Sequence, residues 1–414
     1  MEKILYGNAV VGQSGGPTAA INATLAGVII GAKEAKKKGI INTLFGMRNG
    51  VEGLLDERLV NLSEEFEDDA DIDTLIHTPA AALGSCRKKL PKAGENDAVY
   101  ERLLEIFKKN DIRYFFYIGG NDSMDTVAKL GAYMEKNSYE MRIIGVPKTI
   151  DNDLDVTDHT PGFGSAAKYI ATTVAEIVRD CAVYTVPAVT VVEIMGRDAG
   201  WLTAASSLAK FAGGAPDYIY LPERSFDMNS FFADVRAALD RHPNVVIAIS
   251  EGIRFADGTY VGASATKDVF GHNQLSGAGK ILENALKQEI GCKVRSVELN
   301  ISQRCASHIA SKTDLDESVE VGKTAVEKAI DGISGHMMTI LRKDSDKYQS
   351  FVSSSPVAEI ANKVKSVFDN FINADGNYVT DECISYLRPL IMGEAYPSYE
   401  NGVPKQYIIK RFDC

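Results

Sequence analysis

Residues 142–153 read RIIGVPKTIDND, and this stretch decides the fold. Its first five residues form a mainly apolar run of strand length, and the residues that follow are mostly polar. In open α/β sheets, ligands bind at the carboxyl ends of the strands, which is where Lys148, Asp151 and Asp153 would lie. Proline, asparagine and aspartate also form ordinary turns, so a plain exit from strand to loop explains this stretch equally well on its own.

Short apolar runs alternate with amphipathic stretches of helix length along much of the chain. This alternation is typical of a mostly parallel sheet covered by helices, and it predicts an α/β fold. The predicted strands are Ala9 to Gly12, Tyr114 to Ile118, Ile143 to Val146, Val189 to Ile194, Val245 to Ile249 and Val294 to Leu299. The predicted helices are Ala19 to Lys37, Ala98 to Asn110, Asp125 to Lys136, Ala166 to Arg179 and Phe231 to Arg241.

The composition excludes several classes of protein. With 414 residues, 45% hydrophobic and 24% charged, the chain is too long for one ordinary core, so we expect two domains. A formal net charge of -11 argues against nonspecific nucleic-acid binding and requires any phosphate site to be locally basic. The six cysteines and six histidines show no zinc-ligand spacing, and the apolar runs are of strand length. We therefore expect a cytoplasmic protein with reduced thiols and no membrane segment.

Glycines and polar side chains follow several predicted strands. The segments are GQSGGP at 12–17, GGNDS at 119–123, MGRDAG at 195–200, Glu251-Gly252 and Gln303-Arg304. Glycine lets the backbone approach an anion closely, and a parallel sheet gathers its strand ends at one edge. Each segment also has a simpler explanation. Residues 12–17 are neither a dinucleotide fingerprint nor a P-loop and suit a tight turn, and Asp122 suits the cap of the next helix. A single charge at the end of a strand is usually just exposed to solvent.

Taken in this order, the motifs resemble those of the phosphofructokinase family. The resemblance runs from about Val10 to Gly332 and includes Gly84-Ser85-Cys86-Arg87 and the PKTIDND and MGR segments. It implies two Rossmann-like three-layer domains with mostly parallel sheets and an active site in the cleft between them. The larger, donor-side domain would span 1–162 and be completed by about 312–342, the smaller, sugar-phosphate domain would span 163–311, and 343–414 would form a C-terminal extension.

The resemblance also implies roles for individual residues. Asp151 would take the proton of the 1-hydroxyl of fructose 6-phosphate, and Arg87 would bridge the transferring phosphate. The catalytic group would be Asp151, Lys148, Asp122 and Arg87. The substrate-binding group would be Gly15, Thr149, Asp151, Met195, Gly196, Arg197, Glu251 and Arg304. Asn121 and Asp153 would bind Mg²⁺.

Two positions indicate the phosphoryl donor. ATP-using members of the family typically have glycine where this chain has Asp122 and Lys148. A carboxylate at Asp122 would crowd and repel the α-phosphate of a nucleotide, whereas Lys148 adds a cation for the compact charge of pyrophosphate. The resemblance is therefore to the pyrophosphate-using branch, which implies reversible, Mg²⁺-dependent formation of fructose 1,6-bisphosphate and phosphate in glycolysis.

Other interpretations remain open at this stage. An ATP-dependent sugar kinase of the same family is the closest alternative, and a non-catalytic regulatory subunit is another. A Rossmann-type oxidoreductase would lack its dinucleotide fingerprint. The chain also departs from the family at Asn121, where ATP-using members have aspartate, and at Asn300 and Ile301, so contacts from these two are not expected. We expect a homodimer, with a tetramer as the alternative.

Overall fold

The computed structural model describes residues 3–92, 94–267, 273–275, 277–360 and 363–409. Its strands are β1 (Gly7–Gln13), β2 (Ile41–Met47), β3 (Leu59–Asn61), β4 (Ile112–Gly119), β5 (Arg142–Pro147), β6 (Ala188–Ile194), β7 (Tyr218–Tyr220), β8 (Asn244–Ser250), β9 (Ala263–Lys267), β10 (Asn273–Leu275), β11 (Lys293–Glu298), β12 (His336–Arg342), β13 (Ser350–Pro356), β14 (Tyr399–Glu400) and β15 (Val403–Pro404).

Its α-helices are α1 (Ile21–Lys37), α2 (Gly50–Leu55), α3 (Leu62–Glu65), α4 (Asp69–Ile76), α5 (Asp97–Lys109), α6 (Asn121–Lys136), α7 (Phe163–Cys181), α8 (Trp201–Ala205), α9 (Met228–Leu239), α10 (Ala278–Glu289), α11 (Ser302–Cys305), α12 (Lys312–Ile330) and α13 (Asp381–Leu387). All six predicted strands and all five predicted helices are present, with shifted ends. None of the helices in the described ranges is both long and apolar enough to span a lipid bilayer.

The first sheet has seven strands in the order β13-β12-β5-β4-β1-β2-β3. Its central strands are parallel, whereas β3 and β13 at the two edges pair antiparallel with their neighbours. In the register of the ladder, Gln13 lies opposite Ile118 and Gly119 lies opposite Pro147. The ends of β1, β4 and β5 therefore meet at one edge of the sheet, as the sequence predicts.

Both faces of the first sheet are covered, because the side chains of its strands alternate between two cores. In β4, Tyr114 and Phe116 belong to a core that includes residues of α1 and α12, whereas Phe115 and Tyr117 belong to a core formed with α5 and α6. All four rings are at most 1% exposed. A strand that is buried on both faces reads as a continuous apolar run, which is why β4 was predictable.

The second sheet is smaller and fully parallel, in the order β11-β6-β8-β7. One face packs against α7 and α8, and the other packs against α9 and α10. Ile194 pairs with Ser250 at the ends of β6 and β8. The expected fold class, two three-layer α/β units with mostly parallel sheets, is thus confirmed; the residue boundaries of the two domains stay a prediction.

Helix α12 returns the chain from the second unit to the first sheet. It packs along α1 at very short range, since a Cβ on Gly27 would lie 2.0 Å from the carbonyl oxygen of Val319, and one on Gly322 would lie 2.1 Å from that of Thr24. Strand β12 then pairs with β5. Residues of α12 and β12 therefore pack with the first sheet.

The C-terminal residues contact both units. Beyond β13, the core of the second unit is extended by Val367, Phe371, Ile372, Val379, Cys383, Ile384, Leu387 and Leu390. Near the end of the described chain, the ring of Tyr407 packs 4.7 Å from the ring of Phe66, and Ile409 is buried in the core of the first unit. The sequence analysis left the packing of this extension open, and the structure shows that it contributes to both cores.

Helix α6 corrects one prediction. It begins at Asn121, four residues before the predicted start, and its N-cap residue is Gly120. Asp122 therefore lies in the first turn of the helix and not at its cap. A carboxylate in the first turn still interacts favourably with the positive end of the helix dipole.

Candidate active site

A cleft of about 340 Å³ lies where the ends of β1, β4 and β5 face the second unit. Nine of the predicted site residues line it: Gly15, Arg87, Asn121, Asp122, Lys148, Thr149, Asp151, Asp153 and Arg197. They come from four separate segments of the first unit and one of the second. The parallel sheet accounts for most of this convergence, because it places its strand ends side by side.

The loop after β1 has the backbone conformation that its glycines permit. Gly15 has a φ of 77°, in the left-handed region, and a Cβ there would lie 3.3 Å from Nζ of Lys148. The amide of Gly15 donates to the carbonyl of Cys86 at 3.0 Å, and Oγ of Ser85 donates to the Gly15 carbonyl at 2.6 Å. The GQSGGP loop and the segment that carries Arg87 are therefore bonded into one wall of the cleft.

Lys148 is almost fully buried at the end of β5, with 3% of its surface exposed. Its Nζ donates to the carbonyl of Gly16 at 2.7 Å. Burial lowers the pKa of Lys148 to about 8, the nearby Arg304 and Arg87 also lower it, and the carboxylates of the following loop oppose this shift. The lysine is thus a cation held where anionic oxygen atoms could enter the cleft.

The loop of residues 149–162, which we call the catalytic loop, presents two half-buried carboxylates. Burial raises the pKa of Asp151 to about 7, and the neighbouring carboxylates of Asp153 and Glu251 act in the same direction. Burial also raises the pKa of Asp153. Oγ1 of Thr149 accepts a hydrogen bond from the amide of Asp151 at 3.1 Å and so fixes the start of the loop. A carboxylate with a pKa near neutrality is suited to accept a proton.

Helix α6 contributes an amide oxygen to the same cleft. Nδ2 of Asn121 donates to the carbonyl of Lys363 at 2.8 Å, whereas Oδ1 is buried and accepts no hydrogen bond from any residue in the described ranges. Asp122 is more exposed and pairs with Lys89 at 2.9 Å. Mg²⁺ is usually held by one or two carboxylates and by substrate phosphates, so the Asn121 oxygen and the nearby Asp153 suit such an ion.

The protein alone does not form a complete cage for a metal ion. Over the described ranges there is no cluster of three or more histidine, cysteine, aspartate or glutamate side chains that could hold one. Mg²⁺ commonly shares its ligands between a protein and a bound phosphate compound. This is the arrangement of phosphoryl-transfer sites, where the metal binds together with the phosphates.

The second unit supplies the opposite wall of the cleft. The amide of Gly196 donates to Oε1 of Glu251 at 3.3 Å, and burial raises the pKa of that carboxyl. The amide of Met195 donates to Oε1 of Gln303 at 3.3 Å, next to Arg304 in the chain. The four predicted residues outside the cleft lining, which are Met195, Gly196, Glu251 and Arg304, thus lie at neighbouring strand ends of the second sheet.

Arg304 nevertheless reaches the first unit. A Cβ on Gly16 would lie 3.4 Å from Nη1 of Arg304, which places the guanidinium beside the glycine-rich loop. Arg197 lines the cleft itself. The described part of the cleft therefore combines several basic side chains with the half-buried Asp151 and Asp153, although the whole chain is acidic.

The cleft also contains residues that the sequence analysis did not select. They are Ser14, Gly16, Cys86, Lys88, Tyr117, Gly120, Ser123 and Thr126. Ser14 and Ser123 lie in quoted motifs and are hydrogen-bonded to each other through their hydroxyls. Their position inside the GQSGGP and GGNDS segments could have identified them. Tyr117 lies within the apolar run of β4, where no sequence signal distinguishes it from the other rings.

Comparison with known proteins agrees with this geometry. The sequence profile described as phosphofructokinase matches residues 8–329. The chain is 44% identical to a pyrophosphate–fructose 6-phosphate 1-phosphotransferase of Halomonas elongata over 96% of this chain and 95% of that one. It is also 44% identical to the protein of that name from Xanthomonas campestris pv. campestris, over 98% of this chain and 96% of that one.

Among solved structures, a pyrophosphate-dependent phosphofructokinase from Nitrosospira multiformis superimposes with a TM-score of 0.85. Its sequence is 40% identical, and the match covers 96% of this chain and 95% of that chain. The similarity therefore includes the C-terminal extension, which the sequence motifs did not reach.

Proposed function

The chain belongs to the phosphofructokinase family, and from this we propose that it transfers a phosphoryl group from pyrophosphate to fructose 6-phosphate. The products would be fructose 1,6-bisphosphate and phosphate, and the reaction would run in both directions in glycolysis. The observation that carries the proposal is the buried Lys148 beside the half-buried Asp151 and Asp153 in one cleft. The pyrophosphate donor inferred from Asp122 and Lys148 is also the donor in the names of relatives that match almost the whole chain.

In the proposed reaction, Asp151 accepts the proton of the 1-hydroxyl as that oxygen attacks phosphorus. The bond from phosphorus to the bridging oxygen of pyrophosphate breaks, and inorganic phosphate leaves. A pKa of about 7 suits a group that must take up this proton near neutral pH and release it in the reverse direction. Thr149 would hold the loop in place through its bond to the Asp151 amide.

The charge of the transferring phosphoryl group would be stabilised by the basic residues of the cleft. Lys148 and Arg87 would face its oxygen atoms, and the Gly15 backbone would lie against the donor. Such fixed charges contribute most of the catalysis in phosphoryl transfer, because they are already oriented when the negative charge moves. The hydrogen bond from Lys148 to Gly16 supports this, since it holds the ammonium at the rim of the donor loop.

Phosphotransferases of this family generally need a divalent metal ion, and we propose that the ion is Mg²⁺. Asn121 through its Oδ1 atom and Asp153 would hold it together with the donor phosphates. When bound, the ion would supply positive charge that polarises the phosphoryl oxygens. The unpartnered Oδ1 of Asn121 supports this assignment, since a buried polar atom usually has a partner.

The sugar phosphate would bind to the second unit. Arg197 and Arg304 would contact its 6-phosphate, while Met195, Gly196 and Glu251 would contact the sugar. Glu251 is already oriented by the Gly196 amide and would accept hydrogen bonds from sugar hydroxyls. This arrangement would put the 1-hydroxyl between the two units, on the side of Asp151.

A coupled assay of fructose 6-phosphate with Mg²⁺ tests the proposal directly, with pyrophosphate and ATP supplied in separate reactions. We expect turnover with pyrophosphate and little or none with ATP. Turnover with ATP alone would favour the ATP-dependent alternative from the same family. Absence of turnover with both donors, from a folded protein that binds fructose 6-phosphate, would favour a non-catalytic subunit.

We also propose a cytoplasmic homodimer, with a tetramer as the alternative. The described cysteines, Cys86, Cys181, Cys292, Cys305 and Cys383, are all free thiols, which fits a reducing compartment. Within one chain, both α/β units contribute basic residues to the cleft. Sedimentation of the purified protein would distinguish the two assemblies.

A further inference from the structure

Residues 363–368 cross from the catalytic loop to the second unit, and we call them the crossing segment. The amide of Lys365 donates to the carbonyl of Asp153 at 2.8 Å. Two residues later, the amide of Val367 donates to Oε1 of Glu223 at 2.9 Å. The same Glu223 oxygen accepts a hydrogen bond from the amide of Gly200 at 2.8 Å. The crossing segment therefore bonds to both walls of the cleft.

The ammonium of Lys365 contacts the catalytic loop at three acceptor atoms. Its Nζ lies 2.8 Å from the carbonyl oxygen of Asp158, 3.0 Å from that of Thr157 and 3.4 Å from Oδ1 of Asn152. An ammonium group has three donors, so these three acceptors use all of them. Together with its backbone bond to Asp153, Lys365 contacts four residues of one loop.

The catalytic loop has a conformation that must be held from outside. Asn152 has a φ of 54° and Val156 a φ of 62°, both in the left-handed region. This region is uncommon for asparagine and is strongly disfavoured for the β-branched valine. Such residues keep their conformation only where the surrounding contacts impose it. Lys365 bonds to the loop at positions on both sides of Val156.

Lys365 is joined to the second unit through Trp201. Nε1 of Trp201 donates to the carbonyl of Lys365 at 2.9 Å, and Nζ of Lys365 lies 5.5 Å from the centroid of the indole ring. A cation at this distance from the face of a tryptophan ring is attracted to it. Trp201 begins α8, four residues after Arg197. One lysine thus connects the loop of Asp151 with the strand end that would bind the sugar phosphate.

We propose that Lys365 is a positioning residue for phosphoryl transfer, which holds Asp151 in register with the sugar phosphate on the opposite wall. This inference rests on the proposed function. Lys365 does not line the cleft, and its effect is exerted through the catalytic loop. Because the reacting atoms must be aligned to within about 1 Å, a small shift of the loop is costly.

The test is the Lys365→Met variant, which keeps the aliphatic stem and removes the three hydrogen bonds. We expect turnover with pyrophosphate and fructose 6-phosphate to fall about 10- to 100-fold per binding site. Binding sites are counted by calorimetric titration with fructose 6-phosphate. The KM for fructose 6-phosphate should change less than about 3-fold, since that ligand contacts the other wall. Lys405→Met, which alters an exposed lysine of the same extension, is the control and should match the wild type.

Turnover per site separates positioning from a purely structural role. A structural role would reduce the number of binding sites and leave turnover at each remaining site unchanged, and that result would overturn the inference. Trp201 is the only tryptophan of the chain, so its fluorescence reports whether the contact with Lys365 has been lost. Wild-type turnover in Lys365→Met despite a changed Trp201 emission would also overturn it. Wild-type protein without pyrophosphate-dependent turnover would instead contradict the proposed function.

A second variant covers the case in which Lys365→Met does not fold. Trp201→Phe keeps an aromatic ring, removes the hydrogen bond from Nε1 to the Lys365 carbonyl and leaves a smaller ring against Phe368, Phe371 and Tyr386. We expect a smaller fall in turnover per site, about 3- to 10-fold, with the same unchanged KM for fructose 6-phosphate.

In Lys365→Ala, about 50 mM propylammonium should restore part of the lost turnover because the ammonium can re-enter the vacated space, whereas tetramethylammonium should not. Equal responses to both salts would contradict the positioning role.

Discussion

Nζ of Lys148 lies 2.7 Å from the carbonyl oxygen of Gly16, so the end of β5 is bonded to the loop that follows β1. The lysine therefore does more than add a charge to the cleft. It connects the ends of β1 and β5, which are separated by β4 in the sheet. Because its pKa is lowered by burial and by Arg304 and Arg87, binding of an anion should favour its charged form.

Replacing Asp151 by asparagine should abolish most turnover. The amide has the same shape and cannot accept the proton, so we expect kcat to fall by about 10² to 10⁴ or more. Fructose 6-phosphate binding, measured by calorimetry, should stay within a few-fold of the wild type. Asp346→Asn, in the exposed turn after β12, is the control. Near-normal kcat in Asp151→Asn would refute its role as the proton acceptor.

The donor assignment depends on Lys148 and Asp122. In Lys148→Gly, the contact with Gly16 and one positive charge are lost, so kcat/KM for pyrophosphate should fall by about 100-fold, as for a lost charged contact in a buried site. The double variant that combines Lys148→Gly with Asp122→Gly should also have a lower kcat/KM for pyrophosphate than the wild type. Both are measured by steady-state kinetics at saturating fructose 6-phosphate. Unchanged pyrophosphate kinetics would show that these two side chains do not select the donor.

Removal of divalent ions should stop the reaction, and Asn121 should affect how much metal is needed. With excess chelator, turnover is expected to be undetectable and to return when Mg²⁺ is added. In Asn121→Ala, the Mg²⁺ concentration for half-maximal rate should rise about 3- to 10-fold, because one oxygen ligand is lost. Asn121→Asp keeps an oxygen and should need no more Mg²⁺ than the wild type. An unchanged requirement in Asn121→Ala would exclude it as a ligand.

His159 should make stability depend on pH. It is 2% exposed and lies between two carboxylates, with Nδ1 2.8 Å from Asp158 and Nε2 2.6 Å from Glu317. Burial opposes the charged ring, but these hydrogen bonds outweigh it and raise the pKa of His159 to about 9. Nearby, Tyr348 contacts the ring and Arg342 pairs with Asp158.

Since the pKa is raised on folding, the stabilisation from His159 is complete below about pH 6.5 and is lost as the pH rises through 9. We expect the difference in unfolding free energy between the wild type and His159→Gln to shrink by up to about 3 kcal/mol over this range. Urea unfolding at several pH values measures it. A difference that stays constant with pH would contradict the charged state, and His77→Gln, at a histidine outside this network, is the control.

The close contact between α1 and α12 should not tolerate a methyl group. Gly322→Ala would place its Cβ 2.1 Å from the carbonyl oxygen of Thr24, so the helices must separate. We expect a loss of about 1–3 kcal/mol in unfolding free energy. Gly131→Ala in α6 is the matched control, because its Cβ would meet nothing within 4 Å and alanine favours a helix. Equal stabilities of the two variants would contradict the packing argument.

The parts of the fold that were predictable are those with a local signal. Strands β1, β4, β5, β6 and β8 are buried on both faces and so read as apolar runs. Strands β2 and β12 were not predicted: β2 mixes buried, half-buried and exposed residues, and β12 is followed by a charged turn and not by one of the quoted motifs. The place of β12 follows from its pairing with the distant β5, and that of β2 from its pairing with β1 and β3; a single sequence displays neither pairing.

The site shows the same division. Asp151, Asp153 and Lys148 were recognisable because they follow a predicted strand within a few residues. Lys365 has no motif around it, and 213 residues separate it from Asn152. Its role follows only from three-dimensional contacts. The N-terminal shift of α6 has a local cause that the apolar pattern missed, since Gly120 takes the cap position that was assigned to Asp122.

The crossing segment also has a consequence for biosynthesis. A ribosome makes the catalytic loop in the first half of the chain and makes Lys365 only after some two hundred further residues have emerged. Until then, Asn152 and Val156 lack the contacts that hold their left-handed backbone. The first sheet itself includes β12 and β13, which are also made late, so both this sheet and the loop of Asp151 acquire their final shape only near the end of translation. The enzyme would therefore become active in a single step, late in its synthesis.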